Sequence, residues 1–295
     1  QQGRGTWLLD IGSFSLDNVT VSYIDIRTGW IFKGLVENAN LKGRATKNQM
    51  LVHLKTKGNL GVLRQGSFYY IRNQQVLINT SFLVSDESII LDPSETSIGN
   101  SKFKVNGVIG LEMGSRVSLL LNGDNLSIET LVSLLSQYNF SIPRETRTKG
   151  QIAFDLSIDG LAKTESPYEL RLNFRSERLD VQLPNKPIFS VRMLKGHFSN
   201  GNLGKPESSE LNLENFIFLT GNSQVGGSLR LKNIVSPLFH LNVKQKISVP
   251  DVLAWGIDLP LYQGELEGVF ESLGYIDDIG KITVQSFEDS KFYSD

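Results

Sequence analysis

The stretch KGQIAFDLSIDG, from Lys149 to Gly160, decides the fold class of this chain. Apolar side chains occupy every second position in it, namely Ile152, Phe154, Leu156 and Ile158. Successive side chains of a β-strand point to opposite faces of the sheet. The alternation therefore predicts a strand with one apolar face and one face in contact with water.

The same period of two recurs along most of the chain, for example in Leu170–Phe174 and Leu229–Leu231. Dipeptides typical of tight turns, such as Asn106-Gly107 and Asn122-Gly123, recur with these runs and predict hairpins. We expect about twenty strands of about six residues each. The predicted fold class is all-β, with a long antiparallel sheet.

Two segments have helical spacing instead. In Ser127–Ser136 the apolar residues recur at intervals of three and four, and Ser127 is a suitable N-cap. In Ser248–Trp255, Ser248 and Asp251 resemble a capping box, and Gly256 follows as a C-terminal stop. Both segments are predicted to be short amphipathic helices that need packing to be stable.

The two helical segments end similar blocks, at about 101–160 and 221–272, in the order turn, strand, strand, helix, strand. We interpret the similarity as an internal duplication, with chance likeness between amphipathic strands as the alternative. We expect residues 1–295 to form one continuous β unit. Because the chain begins with neither Met nor a signal peptide, we expect it to be a fragment of a longer protein.

Composition excludes several classes of function. The 295 residues carry a net charge of -1, which is too little positive charge for a nucleic-acid-binding footprint. The absence of Cys excludes disulfides and thiolate metal sites. No motif for a nucleophile, a metal or a nucleotide occurs, so we expect a protein that is not an enzyme and binds no cofactor. Glycosidase chemistry stays an alternative, because it uses two carboxylates from separate elements and the sequence does not show which carboxylates lie close together.

Several stretches resemble the AsmA family, in particular its C-terminal region. They are LLLNGDNLSIETLVSLL (119–135), KGQIAFDLSIDG (149–160), KGHFSNG (195–201) and FSLDNVTVSYID (14–25). The resemblance covers most of the chain.

The resemblance implies a Gram-negative periplasmic protein, anchored in the inner membrane through a segment that this chain lacks. It implies a strongly curved or folded-over, U-shaped sheet whose apolar groove binds or shields the acyl chains of phospholipids or other lipids. The implied role is outer-membrane biogenesis and phospholipid transport, with other envelope proteins as possible partners, and the family has no enzymatic activity.

Candidate groove residues are the alternating apolar positions of the clearest strands. They are Val117, Leu119, Leu121, Ile152, Phe154, Leu156, Leu170, Leu172, Phe174, Leu229, Leu231, Phe239 and Leu241. We expect Leu131, Leu135, Val252 and Trp255, on the two helices, to cap the groove or a sheet edge. The alternatives are that these are ordinary core residues of a β-sandwich that scaffolds partners or binds glycans, or that they line a half-barrel for one lipid.

Overall fold

The computed structural model describes residues 8–26, 29–65, 68–128, 145–162, 168–201, 205–233, 236–257, 263–278 and 281–282. Most of these residues lie in β-strands, and the predicted all-β, antiparallel fold class is confirmed.

Fifteen antiparallel strands are hydrogen-bonded in sequence order. They are β1 (Leu8–Asp25), β2 (Trp30–Thr46), β3 (Gln49–Gln65), β4 (Phe68–Ser85), β5 (Ser88–Ile98), β6 (Ser101–Gly110), β7 (Arg116–Ser127), β8 (Arg147–Leu161), β9 (Glu169–Gln182), β10 (Ile188–Ser199), β11 (Glu210–Thr220), β12 (Ser223–Lys232), β13 (Leu238–Ser248), β14 (Glu265–Asp278) and β15 (Lys281–Ile282). A 3₁₀ turn, Pro206–Ser208, precedes β11.

Two compact units divide the chain. Unit 1 comprises Gln1–Ser141 and Ser157–Tyr168, and unit 2 comprises Ile142–Leu156 and Glu169–Asp295. Strands β1–β7 belong to unit 1 and β9–β15 to unit 2, while β8 contributes residues to each. That residues 1–295 act as one continuous unit of a longer protein stays a prediction.

The strands are longer than the sequence indicated, because several expected turns lie inside them. Asn106-Gly107 is in the middle of β6, and Asn122-Gly123 is inside β7. A Cβ at Gly107 would lie 2.1 Å from the Ser118 carbonyl oxygen of the neighbouring strand. This glycine, with φ of +145°, therefore permits close strand approach rather than a chain reversal.

Bulges shift the alternation within strands. On β11, Leu213 pairs with Leu229 and Phe216 pairs with Gly227, although they are three residues apart. Since Gly227 and Leu229 are two apart on β12, Leu213 and Phe216 face the same side of the sheet. A simple period of two would have placed them on opposite sides.

The second predicted helix is present, and we label it α1 (Val249–Ala254). Gly256 follows it with φ of +82° and donates its N–H to the Leu253 carbonyl, as expected of a C-terminal stop. The predicted capping box is wrong, because the Ser248 side chain makes no cap hydrogen bond. The other predicted helix lies outside the described residues except for Ser127 and Ile128, so α1 is the one α-helix of which the described ranges give full bounds.

Neither unit closes on itself or curls strongly, which corrects the strong curvature in the predicted fold class. Alternation fixes which face of a strand is apolar, but it does not fix how far a sheet bends. The described residues include few buried large apolar side chains, among them Leu179, Phe216 and Phe239. An open sheet accounts for this, because one layer buries side chains only against their neighbours on the same face.

Candidate functional site

In unit 1, apolar residues of consecutive strands stand opposite one another in rows. One row across six strands consists of Ala45, Met50, Val84, Ile89, Ile109 and Val117. The next consists of Gly43, Val52, Phe82, Leu91, Gly107 and Leu119. Directly opposed residues of an antiparallel pair share a face, so these rows line one side of unit 1.

Unit 2 has equivalent rows of its own. One consists of Leu172, Phe198, Leu211, Leu231 and Phe239, and the other of Phe174, Gly196, Leu213, Leu229 and Leu241. We call the side of each unit that carries its rows the apolar face, and the opposite side the outer face.

The structure brings most of the candidate groove residues onto these faces. In unit 1, Val117, Leu119 and Leu121 alternate along β7, and Leu121 pairs with Val105. In unit 2, the candidates on β9, β12 and β13 lie in the two rows, except Leu170. Leu170 lies at the start of β9, before these residues, and its N–H donates to the Asn200 side chain.

The remaining candidates, Ile152, Phe154 and Leu156, alternate along β8. This strand lies beside β9, since the Ser176 hydroxyl donates a hydrogen bond to the Gln151 carbonyl at 2.7 Å. The three side chains therefore share one face of β8.

The candidate residues are not sealed in an interior. Val117, Ile152 and Phe239 are buried, while the other ten groove candidates are only partly buried. In a closed two-layer core, most large apolar side chains would be inaccessible. The apolar faces of the described residues are therefore partly open to solvent.

The outer face of unit 2 is largely polar, with Val269 and Leu273 as exposed apolar exceptions, and it is crossed by ion pairs. Lys246 contacts Glu265 at 2.8 Å, and both side chains are about half exposed. Arg230 contacts Glu210 at 2.6 Å. Such exposed ion pairs contribute little to the free energy of unfolding, so the polar groups of the outer face interact mainly with water.

Hydrogen bonds and ion pairs of this kind lower the pKa values of the carboxyl groups that accept them. The hydrogen bond from Arg230 lowers the pKa of Glu210. Burial acts to raise the pKa of Asp180, but hydrogen bonds from Ser190 and Arg178 outweigh it and lower the pKa. The carboxylates are therefore stabilised as anions, which is typical of structural ion pairs and does not make them proton donors near neutral pH.

Helix α1 is fixed to unit 2 by Asp251. Its Oδ2 atom accepts hydrogen bonds from the Asn222 backbone N–H at 2.8 Å and from the Ser223 hydroxyl at 2.7 Å. The Ser248 N–H in turn donates to the Ser223 Oγ at 2.9 Å. The start of α1 is thereby held against the turn between β11 and β12.

Of the four predicted cap residues, Trp255 has the most contacts in the described part of the chain. Its Nε1 donates to the Thr220 hydroxyl at 3.0 Å, and its ring meets Phe189 edge-on at a centroid distance of 6.2 Å. Phe189 also contacts Phe218, which stacks on Phe216 at 4.6 Å. Trp255 thus extends an aromatic cluster of the apolar face.

The other cap candidates contribute less to this description. Val252 is partly buried within α1. Leu131 and Leu135 lie outside the described residues.

A local arrangement at this turn occurs twice. The tripeptide Gly-Asn-Ser is present at 99–101 and at 221–223, with glycine φ values of 56° and 55°. In both copies the buried serine hydroxyl accepts a backbone N–H, from Ser127 in the first and from Ser248 in the second. This shared tripeptide was not predicted as a structural feature, although its repetition is a signal that the sequence contains.

A small cavity opens on the apolar face of each unit. One of about 120 Å³ in unit 1 is lined by Val21, Phe32, Gly34, Leu60, Val76 and Ile78, among others. One of about 130 Å³ in unit 2 is lined by residues that include Phe198, Leu211 and Leu231. Pockets that enclose a small ligand usually measure about 300–1,000 Å³. A ligand would therefore lie along the face rather than inside either cavity.

A larger cleft of about 510 Å³ in unit 2 has a different character. It is lined mainly by polar residues at strand ends, including Glu145, Thr146, Arg147 and Gln182. It is not part of the apolar face.

Several residues that complete the rows were not among the predicted groove residues. Phe198, Leu211 and Leu213 link the candidates on β9 to those on β12. In unit 1, β2–β6 supply most of each row, yet none of their residues was a candidate. Their alternation was visible, but which strands would be neighbours was not.

Within the described ranges, no group of three or more His, Asp or Glu side chains could hold a metal ion. Among the same residues, no helix has the length and apolar character needed to cross a membrane. Comparison of the chain with protein-family models, with curated proteins and with solved structures gave no match.

Proposed function

We propose that this chain is a non-enzymatic AsmA-like segment that binds or shields lipid acyl chains on its apolar faces. The observation that carries the proposal is the set of apolar rows, each crossing five or six strands, whose side chains stay partly open to solvent. Large contiguous apolar surfaces are rare on proteins that bind nothing. The role includes support of outer-membrane biogenesis and phospholipid transport in the periplasm, with an inner-membrane anchor outside this chain.

An extended acyl chain suits this geometry. Each buried CH₂ group contributes roughly 0.8 kcal/mol, so a chain of about 16 carbons gains on the order of 10 kcal/mol before ordering costs. That is enough to hold a lipid out of water along a shared face.

Adjacent leucines on β7 offer a matched test. Leu119 belongs to an apolar row, whereas Leu120 is on the outer face and 45 % exposed. We expect the full chain purified from a Gram-negative host to carry phospholipid, detected by extraction and mass spectrometry. Leu119→Gln reduces the bound lipid severalfold, and Leu120→Gln leaves it unchanged.

Two results would contradict the proposal. One is a folded chain that carries no lipid and takes up none from fluorescent phospholipid vesicles. The other is an equal loss of lipid in both leucine variants, because the apolar row would then have no special role.

A second function, that of an interaction module, is favoured by one feature of unit 1. Leu51, Leu83, Ile90 and Val108 stand opposite one another on the outer face of β3–β6. A strand end that is apolar on both faces is typical of a sheet covered on both sides. Crosslinking of purified envelope proteins to the outer face at Ile90, without lipid on the apolar face, would favour this function.

A further inference from the structure

The outer face of unit 1 is strongly basic on two neighbouring strands. β2 and β3 together carry six Lys and Arg residues and one carboxylate, Glu37, whereas the whole chain has a net charge of -1. Five of these cations are exposed on the outer face, namely Lys33, Lys42, Arg44, Lys55 and Lys57. We call these five residues the basic patch. Positive charge is therefore concentrated on one side of unit 1.

At the centre of the basic patch, Lys42 and Lys55 are neighbours with no carboxylate between them. Lys42 stands directly opposite His53, and Lys55 is two residues further along β3. Such diagonal neighbours are about 7–8 Å apart in an antiparallel sheet. The uncharged residues opposite Lys42 and Lys55 are Ser13, Asn40 and Asn79. The centre of the patch therefore offers several hydrogen-bond donors and no negative charge.

Most cations of the basic patch lack an ion-pair partner. Arg44 contacts Asp10 at 3.7 Å and Lys57 contacts Glu37 at 3.0 Å, while the other three members have no carboxylate partner among the described residues. On the outer face of unit 2, by contrast, cations on four strands contact carboxylates. Neighbouring like charges in a sheet repel one another, so a bound anion would stabilise the patch.

An exposed apolar side chain borders the basic patch. Leu77 on β4 stands directly opposite Lys57 and is 42 % exposed. Cations beside exposed apolar side chains are typical of surfaces that bind an anionic bilayer, because the cations attract lipid phosphates and the apolar groups enter the headgroup region. A soluble acidic polypeptide would neutralise the charges but would leave Leu77 in water. The combination therefore favours a lipid surface as the ligand.

We propose that the basic patch binds the surface of a bilayer that contains anionic phospholipids. Lys33, Lys42 and Lys55 contact lipid phosphate groups, and Leu77 enters the headgroup region. The patch lies on the side of unit 1 opposite to the apolar face. The contact therefore uses other residues than those proposed to hold acyl chains, and it does not depend on them.

Vesicle flotation with the full chain tests the proposal. Vesicles of phosphatidylcholine with about one third phosphatidylglycerol should bind the chain about tenfold more tightly than vesicles of phosphatidylcholine alone. Both kinds of vesicle offer the same acyl chains, so the ratio reports on headgroup charge. The preference should fall as NaCl is raised from about 0.05 to about 0.5 M, because salt screens exposed charges.

Variants locate the binding surface. Lys42→Gln with Lys55→Gln should weaken binding to the anionic vesicles about tenfold. Lys232→Gln with Lys244→Gln removes the same charge at exposed positions of unit 2 and should change binding less than about twofold. Glu37→Gln should strengthen binding about twofold, because it removes the carboxylate that Lys57 contacts. Circular dichroism confirms that the variants are folded, and the phospholipid that purifies with each of them should equal that of the wild type.

Three results would overturn the proposal. The chain binds charged and neutral vesicles equally, or both glutamine pairs weaken binding equally. The third is tighter binding to poly-glutamate than to anionic vesicles at equal charge concentration, because the patch would then be a site for an acidic protein. A chain that carries no phospholipid from the host but prefers anionic vesicles would contradict acyl-chain binding and support the basic patch as a separate site.

Discussion

The two faces of unit 2 are built from the same strands, but one face is largely polar and solvated and the other is apolar. On β13, Phe239, Leu241 and Val243 lie on the apolar face, while His240 and Lys244 alternate with them on the outer face. Outer-face groups are satisfied by solvent and by side-chain hydrogen bonds such as the one between His240 Nε2 and Glu271 Oε1. Apolar-face groups gain stability only where something covers them. The outer face therefore needs no further contact to be stable, whereas the apolar face would gain stability from a molecule that covers it.

Truncation within the aromatic cluster should give the largest contrast between the faces. Phe216 is 3 % exposed and stacks on Phe218. Phe216→Ala should lower the free energy of unfolding by about 3–5 kcal/mol, measured with urea. Asn215→Ala, at the exposed neighbouring position, should change it by less than about 0.5 kcal/mol. Equal effects would show that the two faces do not differ in packing.

Loss of the Asp251 contacts should have an intermediate effect. Asp251→Ala removes the acceptor for the Asn222 N–H and the Ser223 hydroxyl. We expect α1 to lose about 1–3 kcal/mol of local stability, because two donors lose their partner. Hydrogen exchange at the Trp255 indole N–H reports this opening. Glu267→Ala, an exposed outer-face change, is the control and should leave that exchange unaltered.

An outer-face ion pair should give the smallest effect, which depends on pH. Since Arg230 lowers the pKa of Glu210, the pair stabilises the fold above the unfolded-state pKa of Glu210. That stabilisation is lost as pH falls through the folded-state pKa. We expect at most about 1 kcal/mol, because the pair is partly exposed.

Urea unfolding at a series of pH values between neutral and about 3 measures this contribution. Glu210→Gln should remove it, so that wild type and variant converge in acid. A gap between them that persists or widens in acid would contradict the assignment.

The strand class follows from the sequence, whereas several strand boundaries and the pairing between strands do not. Alternation such as that of Ile152–Ile158 reports directly on the two faces of a strand. Asn106-Gly107 misled the prediction because a glycine needed for close strand approach has the same signature as one in a hairpin. The bulge between Leu213 and Phe216 changes the face on which the following side chains lie, and no residue type in the sequence marks it.

The apolar face was predictable strand by strand but not as a surface. Leu172 and Leu231 were candidates because each alternates within its own strand. Phe198 and Leu211, which join them, lie in strands interrupted by register shifts, so their pattern was weaker. Rows also depend on register between strands, and a one-residue slip would move a whole strand to the other face.

The central claim is that lipid acyl chains occupy the apolar face. A photo-crosslinking residue, p-benzoylphenylalanine, placed at Leu241 or at Asn242 in the full chain, tests it directly. These neighbours on β13 lie on opposite faces of the sheet. After irradiation in a Gram-negative host, mass spectrometry should find phospholipid adducts at position 241 and none at 242. Adducts at 242 alone, equal adducts at both, or none at either in the folded chain would contradict the account.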